Sequence, residues 1–275
     1  MIWGWNADFT AFTRPPVSLP GGMHACLPAW RTSVQPLFAA GRKGAALMVI
    51  ASFAAPLMAL VGGVGAVVSV TGVGSTAALR AAASVWGDFE ALAFVGPTRA
   101  KIEKLEGFLH LPVICSLLRC CPAMEAAEFC EGLVLPMGAW ARRTLVLTRS
   151  ERPVFPVMWP ISDAPGVEVP FGRRLSALET ADVDGAVAGA GAAGAGAAGA
   201  AYLDYLVDPT VIAWCRKMLV RRYAELHDAG SQTEPHALRA LAALSVAAMI
   251  VCQLDIIAFD YLALTTWAKE KVLKR

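Results

Sequence analysis

Between Lys43 and Arg80 the chain carries no charged side chain. The run from Gly44 to Leu79 reads GAALMVIASFAAPLMALVGGVGAVVSVTGVGSTAAL. A helix crosses the hydrocarbon core of a bilayer with about 20 apolar residues, so this run is long enough to span and leave residues over. Soluble domains are about 25% charged on average. Here 17% of residues are charged and 56% are hydrophobic. The expected fold class is mainly α: a membrane protein with about two transmembrane helices, short amphipathic helices, and long extended arms and loops.

Residues 1–43 read as an extended N-terminal arm. Arg14, Arg31, Arg42 and Lys43 stand against a single acid, Asp8. Pro15, Pro16, Pro20 and Pro28 interrupt any amphipathic presequence helix. Trp3, Trp5, Phe9, Phe12 and Trp30 are rings suited to a membrane interface or to crevices on a partner. Residues 44–79 read as the first transmembrane helix, kinked at Pro56. Ala55, Ala59 and Gly63 recur at four-residue spacing, a ridge along which a second helix can approach closely.

Residues 80–148 read as a helical extramembrane region. Ile102, Leu105 and Leu109 give one amphipathic stripe there. Residues 149–203 read as a proline-rich loop followed by a Gly/Ala-rich linker. Residues 204–230 form an amphipathic helix that starts at Asp208-Pro209, an acid at the N-cap with proline at the first helical position. Its apolar face is Val211, Trp214, Cys215, Met218 and Leu219. Its basic face, Arg216, Lys217, Arg221 and Arg222, is a candidate contact for lipid headgroups. Residues 233–275 read as the C-terminal transmembrane helix with a basic tail of Lys269, Lys271, Lys274 and Arg275.

Chemistry is sparse on this reading. The cysteines are odd in number and contain no CxxC, so they read as buried thiols and not as a disulfide or zinc framework. Glu125, Glu128 and Glu131 share a stripe, but no histidine follows any of them at the spacing a di-iron site needs. No nucleophile–base constellation, phosphate loop or metal set is found, so no cofactor and no metal are expected. A net charge of +2 is too small to point to nucleic acid.

Asp255 is the one residue with two readings. An aspartate at the centre of a membrane helix costs about 2.5–3.5 kcal/mol, which suggests a proton relay. If the span runs from Leu238 to Ala258, however, Asp255 lies near an interface and is structural, and this second reading is preferred. The expected function is a non-catalytic accessory subunit of a large membrane complex, best matched by an energy-transducing complex of the mitochondrial inner membrane such as the respiratory chain. Its partners would be other subunits and lipids, with no nucleic acid. The alternatives are a small transporter or proton-handling protein using Asp255, and a soluble α-helical protein with an unusually apolar core.

Overall fold

The computed structural model describes residues 4–5, 12–13, 23–39, 42–62, 65–71, 75–95, 110–116, 145–150, 166–170, 194–229 and 235–273. The apolar run is not one helix. Its first half is α2 (Lys43–Val61), which ends at Gly62 with φ at +79°. Its second half is a strand, β3 (Ala66–Thr71), followed by the helix α3 (Ser75–Ser84). Glycine at a positive φ is the usual way to stop a helix, because no Cβ resists that backbone.

The strands β4 (Ala93–Val95), β5 (Val113–Ser116), β6 (Leu145–Ser150) and β7 (Gly166–Pro170) join β3 in one sheet of order β4-β5-β6-β3-β7. Every pairing in it is parallel. A parallel sheet is covered on both faces, so its strands read as near-continuous apolar runs without alternation. Ala66, Val68, Val70, Leu145 and Leu147, which share one face, are buried, and the successive Val113 and Ile114 of β5 are buried on opposite faces. A separate pairing joins β1 (Gly4–Trp5) to β2 (Phe12–Thr13) antiparallel.

The described residues are mainly helical around this sheet. The remaining helices are α1 (Met23–Val34), a short α4 (Phe89–Leu92), α5 (Ala197–Leu206), α6 (Pro209–Ala229), α7 (Pro235–Gln253) and α8 (Tyr261–Leu273). The centre of the core is α2. It packs on α7, α3 and α6 and reaches β6 and β3. Leu47, Met48, Val49, Ile50, Phe53, Leu57 and Met58 are each at most 2% exposed. Removing side chains of this size from water contributes roughly 1.5–3 kcal/mol apiece. Lys43–Val61 is the one described helix long and apolar enough to cross a membrane, and 89% of its most apolar window is buried inside the protein.

The expected C-terminal span is divided. α7 stops at Gln253, the chain turns through Leu254–Asp260, and α8 begins at Tyr261. The apolar part of α7, Ala237–Gln253, is shorter than a full crossing. Asp255 sits in the turn with φ at +50°, a conformation aspartate tolerates better than most residues.

Part of the arm expected to be extended is folded into the same core. Residues 23–38 are α1 and a 3-10 turn, Gln35–Phe38. Trp30 is fully buried, meets the Phe53 ring edge-on at 6.3 Å, and donates from Nε1 to Ser84 Oγ at 2.9 Å. Ser84 Oγ donates in turn to the Ala81 carbonyl at 2.8 Å. A buried indole N–H needs such a partner, so Trp30 is an anchor within this chain and not a membrane-interface ring.

The end of the Gly/Ala-rich segment is also structured. α5 is buried along most of its length. Gly196 and Gly199 donate backbone N–H to Ser84 O and Val85 O at 2.9 and 2.8 Å. A Cβ on Gly199 would lie 2.5 Å from both the Val85 carbonyl oxygen and the Trp86 ring. Small residues here permit backbone contact, where the composition alone suggests a linker.

Candidate functional site

The order β4-β5-β6-β3-β7 fixes where a ligand crevice lies. From β3 the chain proceeds to β4, on one side of the sheet. From β6, the strand hydrogen-bonded to β3, it proceeds to β7 on the other side. In open parallel sheets ligands bind beyond the C-terminal ends of the strands at such a switch point. The register places Ser69, Thr148 and Cys115 in one row across β3, β6 and β5. The next row holds Val70, Arg149 and Ser116.

At this point the chain leaves β3 and starts α3 within a few residues. The residues from Ser69 to Thr76 are Ser-Val-Thr-Gly-Val-Gly-Ser-Thr. A phosphate-binding loop has the spacing G-x-x-x-x-G-K-[ST] between a strand and a helix. Gly74 and Thr76 occupy the second glycine and hydroxyl positions. Ser69 and Ser75 stand where the first glycine and the lysine would be. The first backbone N–H groups of α3 have no acceptor within the helix, and its dipole favours an anion there. Thr76 is half-buried in the first turn. Its position in the spacing is the one whose hydroxyl ligates Mg²⁺ in such loops. The described ends of β5 and β6, Cys115-Ser116 and Thr148-Arg149-Ser150, bring no carboxylate to that hydroxyl, while Glu168 of β7 is in register with Ser69. Among the described residues no group of three His, Cys, Asp or Glu is placed to hold a metal.

The residues singled out in the sequence lie elsewhere. Ala55 and Ala59 are buried in α2, the helix that packs most extensively on α7, and Gly63 lies outside the described residues. On α6, Lys217 and Arg221 are exposed and Arg216 and Arg222 are half-buried. Arg221 Nε and Arg222 Nη1 donate to the two oxygens of Glu225 at 2.9 and 2.7 Å. These hydrogen bonds hold the Glu225 carboxyl below its ordinary value. Asp255 pairs with Arg31. The glutamate stripe of residues 125–131 and Cys120, Cys121 and Cys130 lie outside the described residues. The sequence reading missed the β3–α3 connection. Its signal was present as a β-branched run, two glycines and a hydroxyl-rich helix start, but without lysine it merged into the uncharged stretch.

Comparison with known proteins agrees with the topology. A family model described as a domain of unknown function, DUF927, matches residues 26–111, which include α2, β3 and α3. No curated protein matches the sequence. A solved structure described as "SCCmec type IV Cch - active helicase" superposes on 94% of this chain with a TM-score of 0.69 at 15% identity. The chain spans about half of that structure's length, 51%.

These findings correct the expected function. A chain whose fold is that of a helicase structure over nearly its whole length is not read as an accessory subunit of a mitochondrial respiratory complex. The expectation of a protein without enzymatic chemistry, and the exclusion of nucleic acid in favour of membrane-complex partners, fall with it. The physical cause of the error is α2: an uncharged helix is equally a membrane span and the central helix of a large core. The chain has the fold of that helicase structure.

Proposed function

We propose that the chain is the nucleotide-binding core of a helicase-related protein, in which a nucleoside triphosphate sits with its phosphates at the β3–α3 connection and its hydrolysis is coupled to work on nucleic acid. The observation that carries this reading is the strand–glycine–helix connection Ser69–Thr76 at the switch point of a parallel sheet. The helicase likeness supports the coupling to nucleic acid. Ser75 in the lysine position implies slow turnover, because the lysine of such a loop neutralises charge on the β- and γ-phosphates. On the same reading α2 is the module's core helix and not a membrane span, as its burial against α7, α3 and the sheet suggests. The test is steady-state ATP hydrolysis by the purified chain with and without single-stranded DNA. Stimulation by DNA is expected. Hydrolysis and ATP binding both absent in a folded, soluble protein would refute the proposal. Recovery of the chain only in a carbonate-resistant membrane pellet would instead support a span at Lys43–Val61.

A further inference from the structure

The last three helices form a cleft that the nucleotide site does not use. α7 packs on both α6 and α8, and the three line an open cleft of about 190 Å³. Its floor is apolar, with Leu226 and Leu241 buried there. Its walls carry a cation from each side, Arg222 of α6 and Lys269 of α8, both half-buried. Among the described residues Lys269 has no ion pair or hydrogen bond. Glu225 is the one acid in the lining, and its two oxygens already accept from Arg221 and Arg222. Three cations therefore stand against one carboxylate, and the surplus suits an anion. The neighbouring acid Glu270 lies about 100° round α8 from Lys269.

The rim indicates what kind of anion. Leu262 is 57% exposed, Tyr261 beside it is half-buried, and Thr266 offers an exposed hydroxyl. A free phosphate gains nothing from a leucine and a tyrosine ring. A nucleic-acid strand gains from both, because each phosphate is flanked by a sugar and a base with apolar faces. Surfaces that hold single strands combine cations along the backbone with aromatic rings on which bases stack. The cleft is smaller than the roughly 300–1,000 Å³ of small-molecule pockets. It therefore takes one sugar-phosphate or base of a strand passing over it and not a whole nucleoside triphosphate.

We infer that the cleft between α6, α7 and α8 is a contact point for single-stranded nucleic acid. Arg222 and Lys269 hold a phosphate, and Tyr261 and Leu262 meet the adjoining base or sugar. This inference rests on the helicase-related reading above and gives the nucleic acid a place on elements other than the β3–α3 connection.

The test is fluorescence anisotropy of a labelled oligothymidylate titrated with the whole chain at several salt concentrations. Lys269→Gln should weaken binding roughly three-fold or more and lower the slope of log K against log salt by about 0.7, the value of one phosphate contact on a single strand. Tyr261→Ala should weaken it by about ten-fold, the scale of one lost stacking contact. Lys217→Gln removes the same charge from an exposed position about 140° round α6 from Arg222 and should change little. Folding of each variant is checked by its melting curve. In parallel, an oligonucleotide carrying 5-iodouracil is photocrosslinked to the unaltered protein. The crosslinked peptide should contain Tyr261, which keeps the test valid if a variant does not fold. Equal weakening by Lys217→Gln and Lys269→Gln, or crosslinks only outside α6 to α8, would overturn the inference and leave the nucleic-acid reading standing. Lys269-dependent sedimentation with phosphatidylserine vesicles, without DNA binding, would assign the cleft to lipid headgroups and overturn it. No DNA binding by the unaltered protein at low salt would overturn both the inference and the coupling to nucleic acid, while ATP binding reports on the nucleotide site separately.

Discussion

Arg31 in α1 donates from Nη1 to Asp255 Oδ2 at 3.0 Å and from Nε to the neighbouring Ile256 carbonyl at 3.0 Å. It also donates from Nη2 to the Asp255 carbonyl. One guanidinium therefore closes the turn between α7 and α8 and ties it to the N-terminal part of the chain. Gln35 adds a bond from Nε2 to the Ala258 carbonyl at 2.8 Å. The carboxylate that resembled a proton relay in the sequence belongs to a tie between distant segments.

The two partners should differ in their effect on stability. The Asp255 side chain is 74% exposed, and an exposed ion pair contributes at most about 1 kcal/mol. Asn tolerates a positive φ as Asp does. Asp255→Asn should therefore cost under about 1 kcal/mol in urea unfolding. Arg31→Ala strips donors from two backbone carbonyls as well and should cost about 1–3 kcal/mol. Equal, negligible losses would show that the tie does not hold the turn.

Gly199 gives a steric prediction. A methyl group there meets the Val85 carbonyl and the Trp86 ring at 2.5 Å, and Trp86 is itself held by a bond from Nε1 to the Ser52 carbonyl at 3.2 Å. Gly199→Ala should destabilise by roughly 1–3 kcal/mol, the usual cost of overpacking. Gly62→Ala is the control, since nothing lies within 4 Å of its added Cβ. Its cost should be about 1–3 kcal/mol of backbone strain alone, since φ +79° with ψ 169° is a region essentially reserved for glycine. A loss of under about 0.5 kcal/mol at Gly199 would contradict the packing described for α5.

Cys215 predicts a pH dependence. Burial pushes its thiol from 9.0 up to about 12. In the unfolded chain the thiol ionises near its ordinary value, so unfolding releases a proton once the pH exceeds about 9. The contribution of this group to stability is complete below that pH and is lost as the pH rises toward about 12. Cys215→Ala should flatten the alkaline fall in the urea midpoint. An unchanged slope would assign the fall to other groups.

The β3–α3 connection predicts a gain of function. Ser75→Lys completes the loop spacing with Gly74 and Thr76 and should raise the ATP hydrolysis rate by about ten-fold or more, the scale of one added transition-state charge contact. A rate no higher than that of the unaltered chain, with binding intact, would show that a missing lysine does not limit turnover.

What could be read from the sequence follows from how local each signal is. The helix expected to start at Asp208-Pro209 is observed as Pro209–Ala229. Asp208 Oδ1 accepts from the Thr210 N–H at 2.8 Å and from the Thr210 hydroxyl at 2.7 Å. These bonds lower the Asp208 carboxyl from its usual value. A cap is written in adjacent residues. The parallel sheet is not, because β3 and β6 lie far apart in sequence and a strand buried on both faces has no alternation to distinguish it from an apolar helix. The Gly/Ala-rich segment misled for a related reason: its composition suits a linker, while its contact with Ser84 and Val85 is non-local. The crevice was legible only once strand order was known. Ser69–Thr76 without lysine is too weak a motif alone.

The central claim is that a nucleotide's phosphates bind where β3 connects to α3. Hydrogen–deuterium exchange of the intact chain with and without saturating ATP addresses it directly, because bound phosphate would engage the free N–H groups at the start of α3. The account predicts slowed exchange concentrated in residues 69–80, with a second protected stretch at residues 145–150 of β6. Exchange in both stretches that is unaffected by ATP, or protection appearing only around α6 to α8, would contradict it.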